Sequence, residues 1–148
     1  MKIILKKFDE LSPLELYHSL RLRAEIFVLE QDCRYQDIDE RDQKALHVLG
    51  MDQNKIIAYG RCFGPGTYFE EAAIGRIAVA RDERKSGYGH EIVQACISAI
   101  ETEFNTSVIR LSAQQYLIGF YESHGFKTIG NGYFEDGIPH IAMLKSGE

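Results

Sequence analysis

The residues with the densest chemistry run from Arg84 to Gly89: Arg84, Lys85, Ser86, Gly87, Tyr88 and Gly89. Two cations precede two glycines, and glycine lets a backbone close in on a ligand. Ahead of them, Ile74 to Ala80 is an apolar run broken by Gly75 and Arg76, which reads as a mostly buried strand. Behind them, Ile92, Val93, Cys96, Ile97, Ile100 and Phe104 recur at helical spacing on one stripe. A strand that feeds a Gly-rich turn into a helix N-terminus is a ready anion site. The first N–H groups lack partners, and the helix dipole adds partial positive charge. The expected guest is a phosphate or pyrophosphate. The order G-x-x-x-x-G-K-[ST] is absent, and G-x-G-x-x-G fails because position 92 is Ile. What fits is R-x-x-G-x-G, directly after a strand.

Other residues carry chemistry singly. Tyr121 falls in a short helix, Tyr116 to His124, that Gly125 ends in the left-handed conformation. Its phenol can donate a proton, or can simply pack. His47 and His140 can each take a proton near neutrality, and each can equally be a satisfied structural histidine. Arg76 is a cation in an apolar strand, so it needs a carboxylate from a substrate or from an internal partner such as Glu30. Strand alternation puts it on the same side as Ile74. Gln31 to Asp42, QDCRYQDIDERD, would ordinarily be a solvated acidic loop, yet it keeps Tyr35 and Ile38. Cys33, Cys62 and Cys96 are odd in number and show no C-x-x-C spacing, which suits a reduced cytoplasmic compartment. No metal site is expected.

The elements that must position these groups follow from pattern. Ile3 to Phe8 reads as a strand. Ser12, Pro13 and Glu15 start a helix with an N-cap, a Pro at N1 and a capping box. Leu14, Tyr17, Leu20, Ala24, Phe27 and Val28 form its expected apolar stripe to about Glu30, with Arg21, Arg23 and Glu25 on the other side. Ala45 to Met51 and Lys55 to Phe63 make a hairpin around Asp52-Gln53-Asn54. Thr67 to Ala72 is a loop, and Ser107 to Ala113 is a strand. Lys127 to Phe134 and Ile138 to Lys145 close the chain around Glu135-Asp136-Gly137. The order β-α-β-β-β-α-β-α-β-β is that of an α/β (α+β) chain. It implies a mixed, mostly antiparallel sheet with a central parallel pair and helices on both faces.

Length and composition bound the reading. The 148 residues suit a single domain spanning 1–148 with a real core. Apolar content of 45% and charged content of 26% are those of an ordinary soluble globular chain. A net charge of −5 argues against a nucleic-acid surface. No span approaches the ~20 apolar residues of a membrane helix, and the N-terminus lacks the pattern of a signal peptide.

Arg84 to Gly89 resembles the pyrophosphate loop of the GNAT N-acetyltransferases, written Q/R-x-x-G-x-G/A. Gln114 to Phe126, QQYLIGFYESHGF, is similar to that family's second motif, N-x-x-A-x-x-L-Y-E-K-x-G-F. It matches at Phe120-Tyr121-Glu122 and Gly125-Phe126, and departs at Gln114 and Leu117. Ile26 to Gln31, Tyr35 to Asp39 and Glu135 to His140 resemble the ElaA-type subgroup.

The resemblance implies that the central parallel strands splay apart. The backbone of Ile77, Ala78 and Val79 then takes the pantetheine of acetyl-CoA, the expected cofactor, with the N–H of Val79 or Ile77 near the thioester oxygen. Arg84, Lys85, Ser86, Gly87, Tyr88 and Gly89 hold pyrophosphate, Gln114 bonds the arm, and Tyr121 is the general acid. A primary amine attacks directly in a ternary complex. The 31–42 loop, Glu30, Arg76 and His140 are placed on the acceptor side. The Glu that some relatives carry on the central strand is Ile74 here. A non-catalytic acyl-CoA-binding or sensing domain is the alternative. Expected partners are a small-molecule or peptide amine, with a homodimer as an option, and neither nucleic acid nor membrane.

Overall fold

The computed structural model describes residues 1–147. Seven strands form one sheet in the order β1-β2-β3-β4-β5-β7-β6. They are β1 (Lys2–Lys7), β2 (Leu46–Asp52), β3 (Lys55–Phe63), β4 (Ala72–Val79), β5 (Ile109–Gln114), β6 (Phe126–Glu135) and β7 (Ile138–Lys145). Every neighbouring pair is antiparallel except β4 with β5. The β2–β3 turn runs through Gln53 and Asn54 at φ 49° and 67°, the two left-handed residues that a tight hairpin turn needs.

Helix α1 (Pro13–Arg23) starts as its sequence dictates. The Ser12 hydroxyl accepts from the Glu15 N–H, and the Glu15 side chain accepts from the Ser12 N–H. It continues into a π-helical stretch, Ala24–Glu30. The face it buries is not the expected one. Ser19, Leu22, Arg23 and Ile26 are buried, whereas Leu14 and Tyr17 are each 66% exposed. Polar residues hold inner seats because each has a partner: Ser19 donates to the Glu15 carbonyl, and Arg23 is ion-paired.

Helix α2 (Tyr88–Phe104) behaves as its periodicity requires. Ile92, Val93, Cys96, Ile97 and Ile100 are all at most 2% exposed and pack on the sheet face opposite α1. At Gly60 an added Cβ would sit 2.4 Å from Cys96 Sγ. Only glycine lets α2 approach β3 this closely. Burying those five aliphatic and thiol side chains contributes about 1.5–3 kcal/mol for each Val or Ile, and it fixes the N-terminus of α2 beside the end of β4. The short helix α3 (Ile118–Glu122) also packs on this face, and Gly125 follows it at φ 93°.

Two departures from a regular sheet shape the centre. The β4–β5 pairing extends only over Ala72↔Ile109 and Ala73↔Arg110. From Gly75 onward the two strands diverge. The second departure is a bulge in β4. Tyr59 pairs with Ala78 and Arg61 with Gly75, so Gly60 alone faces both Arg76 and Ile77. Arg76 is the inserted residue, at φ 54°. The extra residue cancels simple alternation. Ile74 and Ile77 both pack toward α2, whereas Arg76 turns to the other face. The expectation that Arg76 shares a side with Ile74 is therefore corrected.

Candidate active site

A cleft of about 860 Å³ opens where β4 and β5 part. Ile77, Ala78 and Val79 line it, as do Arg84, Gly89, Gln114 and Tyr121. On its other side stand Glu30, Arg76 and His140. Lys85, Ser86 and Gly87 are exposed beyond it, leading into α2 at Tyr88.

One side of the cleft is built from β4 and the N-terminus of α2. Ala80 N–H donates to Ile57 O on β3, 2.8 Å away. Alternation then turns the Val79 N–H and C=O away from β3, toward the gap. Ala78 points its side chain into the α1 core instead. Gly87 stands at φ 75°, the left-handed region open to glycine at little cost, and α2 begins with no side-chain cap. The first N–H groups of α2 therefore face outward with the positive end of the helix dipole behind them. An exposed loop with uncapped N–H groups fits a pyrophosphate. A gap edged by backbone that no neighbouring strand pairs fits a pantetheine arm.

Arg84 does not extend toward that anion site. Its Nε donates to Val79 O at 3.1 Å, and its Nη1 pairs with Glu30 Oε2 at 2.8 Å. Glu30 is therefore the partner of Arg84, not of Arg76 as the sequence suggested.

Tyr121 is 7% exposed, and its ring meets Phe120 and Phe126 edge-on at 5.1 and 6.1 Å. Burial pushes its phenol well above the ordinary range, with smaller contributions from Cys96 and Tyr116. The hydroxyl thus stays protonated at neutral pH. That is the state a proton donor to a thiolate requires.

The opposite wall of the cleft rests on a buried ion network. Arg23 binds Asp37 (2.9 Å) and Asp42 (2.8 Å). Arg61 binds Asp39 (2.8 Å) and shares Asp42 (2.9 Å). Arg76 Nε lies 2.8 Å from Asp37 Oδ1, without its N–H aimed at that oxygen, and Nη2 donates to the Asp37 carbonyl at 3.3 Å. Tyr35 donates to the same Asp37 carboxylate at 3.0 Å. Three arginines and three aspartates cancel. The acidic run is thus a stapled wall, not a solvated loop. Arg23 sits inside this network, where the sequence placed it on the outer side of α1.

His47 belongs to this network. Its Nε2 faces the Asp42 carbonyl at 2.9 Å and its Nδ1 the Tyr59 hydroxyl at 2.7 Å. A carbonyl only accepts, so Nε2 carries the proton and Nδ1 accepts from Tyr59. With both nitrogens engaged away from the cleft, His47 is structural. Sequence reasoning missed Asp37, Asp39, Asp42 and Arg61 as a unit. The available signal was numerical: Arg23, Arg61 and Arg76 all lie in elements with buried neighbours, and each needs a carboxylate.

His140 lies on β7 directly opposite Gln114 of β5 and Tyr133 of β6. Its Nδ1 is 2.7 Å from Ile138 O and its Nε2 3.3 Å from Glu135 Oε2. The β6–β7 turn meets the stapled wall where Cys33 Sγ lies 3.6 Å from the Asp136 carbonyl.

A family profile described as an acetyltransferase (GNAT) domain matches residues 17–146. ElaA of Escherichia coli is 36% identical over 139 residues, 93% of this chain and 91% of that protein. The crystal structure of E. coli ElaA superposes with a TM-score of 0.92, covering 98% of this chain and 99% of that one. An acyl-CoA N-acyltransferase from Pseudomonas aeruginosa superposes with a TM-score of 0.93 at 32% identity, covering 99% of this chain and all of that one. The splayed mixed sheet, the R-x-x-G-x-G loop and the Tyr121 motif thus sit in a chain that belongs to the GNAT acetyltransferase family and is of the ElaA type.

Proposed function

We propose that the protein transfers an acetyl group from acetyl-CoA to a primary amine, which attacks while both substrates are bound. The observation that carries this reading is the parting of β4 from β5 after Ala73, with Val79 backbone on one edge and buried Tyr121 within the same cleft. Acetyl-CoA supplies the activated thioester. Gly87, Tyr88 and Gly89 receive the pyrophosphate through the outward N–H groups of α2, and Lys85 and Ser86 border it. Arg84 must leave Val79 O and Glu30 to join them. The freed Val79 backbone then pairs with the pantetheine arm as an added strand would, and Gln114 bonds the arm from β5. The Val79 N–H is the donor placed to polarise the thioester carbonyl. Tyr121 donates its proton to the departing sulfur. Holding amine and thioester together converts a bimolecular step into one within a complex.

Among the described residues, no helix is long and apolar enough to cross a membrane. The three free cysteines support a reducing cytoplasmic setting. The test is a panel of amines incubated with acetyl-CoA, read as free thiol, alongside calorimetry with coenzyme A. Amine-dependent thiol release is expected. Failure of coenzyme A to bind would overturn the reading.

A further inference from the structure

We propose that His140 Nε2 and the Glu135 carboxylate form the subsite that receives the acceptor's ammonium and takes its proton, and that the acceptor is a primary amine with no carboxylate beside the nitrogen. The inference rests on the acyl-transfer reading above. His140 is 8% exposed and held by two features. Its Nδ1 lies 2.7 Å from the Ile138 carbonyl, which can only accept, so Nδ1 carries the proton and Nε2 presents a lone pair. The Tyr133 ring lies nearly parallel to the imidazole, centroids 6.2 Å apart, and the Tyr133 hydroxyl is hydrogen-bonded to Ser112. Glu135 Oε2 stands 3.3 Å from Nε2. Two acceptors this close are matched to one group with several N–H donors, and an ammonium is such a group.

Its place in the cleft is suitable. His140 sits opposite Gln114, so their side chains share a sheet face about 5 Å apart at Cβ. The titratable groups packed against His140 are Glu135 and Tyr133 of β6, while Gln114 of β5 does not titrate. Charge sets the substrate class. Arg61 and Arg76 are neutralised by Asp37, Asp39 and Asp42, and Arg84 by Glu30. Among the described residues, Glu135 and Asp136 have no lysine or arginine within ion-pair distance. An acceptor bearing its own carboxylate meets only repulsion there.

The protons balance. One ammonium N–H binds Glu135, and another gives its proton to Nε2, whose new charge pairs with Glu135. The nitrogen lone pair forms the C–N bond as the C–S bond breaks, and the sulfur takes the Tyr121 proton. The nitrogen's second proton returns to Tyr121 through solvent, and His140 discharges to solvent. The sum is amide, thiol and one proton.

The experiment uses the full chain as wild type, His140→Gln and Glu135→Gln, with acetyl-CoA and phenethylamine, 1,4-diaminobutane or phenylalanine. In the wild type, kcat/KM for phenethylamine should rise with pH and level well below the amine's own pKa. His140→Gln should lose about 10²-fold at pH 7 and keep climbing toward the amine's own pKa of about 10. Glu135→Gln, on the exposed hairpin end, should raise the acceptor KM roughly tenfold and leave that of acetyl-CoA unchanged. An unaltered pH profile in His140→Gln, or phenylalanine accepted as well as phenethylamine, overturns the proposal. Should no amine be acylated, the His140 ring resonances are titrated with 1,4-diaminobutane and with phenethylamine at saturating coenzyme A. A shift lost in Glu135→Gln supports the subsite, and no shift refutes it. Coenzyme A calorimetry reports separately on the donor reading.

Discussion

Arg84 ties the 84–89 loop to the end of the π-helical stretch through Glu30, its Nη1 2.8 Å from Glu30 Oε2 while its Nε rests on the Val79 carbonyl. The same guanidinium is expected to meet pyrophosphate, and the same carbonyl to meet pantetheine. Coenzyme binding must therefore break both contacts.

Replacing Glu30 tests that competition. The Arg84 and Glu30 side chains are 40% and 29% exposed, so the pair contributes only about 0.2–1 kcal/mol. Glu30→Gln frees Arg84 and removes an anion near the phosphates. Calorimetry should show coenzyme A binding tighter by up to ~5-fold. Weaker binding would mean that Glu30 itself contributes to the coenzyme site.

Gly87 separates backbone conformation from charge. No atom lies within 4 Å of a Cβ built there, so bulk is not the obstacle, but φ 75° is strained for most residues. Asn tolerates that region. Gly87→Asn should fold and lose little coenzyme affinity, whereas Gly87→Asp should lose tenfold or more as its charge meets pyrophosphate. Equal affinities in the two variants, measured by calorimetry, would remove the phosphate from this loop.

Tyr121→Phe distinguishes an enzyme from a sensing domain. The ring keeps its edge contacts with Phe120 and Phe126, so the melting temperature should barely move. Coenzyme A binding should persist while kcat falls about 10²-fold, the low end for general acid–base groups. Because burial raises the phenol, wild-type kcat should show no falling limb from Tyr121 loss of proton through the ordinary phenol range.

Local pattern was enough for some of this and not for the rest. The stripe of α2 and the turn at Gln53-Asn54 depend on neighbours a few residues away, and both were legible. The inner face of α1 was not. Arg23 is buried because Asp37 and Asp42, 14 and 19 residues on, neutralise it. The partners of the acidic run were hidden for the converse reason: its arginines lie on α1, β3 and β4. The bulge was hidden as well. Arg76 adopts φ 54° without being Gly, Asn or Asp, so no residue type announced it.

Acid should act on the network in two stages. Burial lowers the His47 pKa against the pull of Asp42. A base with a depressed pKa contributes stability above its unfolded value of about 6.5 that is lost as pH falls toward the folded one. For Asp42, burial alone would raise the pKa, but Arg23 and Arg61 more than offset it. For Asp39, Arg61 and Arg76 do the same. Their stabilisation is present above about 3.9 and is lost as pH falls further. Urea melts from pH 8 to 3 should show one decline below about 6.5 and a second below about 4. His47→Gln should reduce the first to the share left by His124, whose pKa burial and His90 also lower. Asp42→Asn, which leaves Arg23 and Arg61 short of a buried anion, should cost about 3–5 kcal/mol at pH 7.

Arg76 joins the network to the cleft, which makes it the most informative single position. Its side chain is 20% exposed, its guanidinium lies 5.5 Å from the Tyr35 ring centroid, and it pairs with Asp37 and Asp39 of the stapled wall. Two effects of substitution oppose each other. Arg76→Gly relieves the left-handed backbone, about 1–3 kcal/mol of strain, while leaving Asp37 and Asp39 short of a cation. Arg76→Ala keeps the strain and loses the cation, so it should be the less stable of the two by about 1 kcal/mol. Both should loosen Tyr35 and the wall it belongs to, raising the acceptor KM several-fold while the KM of acetyl-CoA stays within twofold. The contact they remove lies on the far side of the bulge from Val79, which faces the donor. Acetyl-CoA KM rising in step with that of the acceptor would show that the bulge at Arg76 shapes the pantetheine edge of β4 as well. Equal stability of the glycine and alanine variants in urea would show that φ 54° carries no strain.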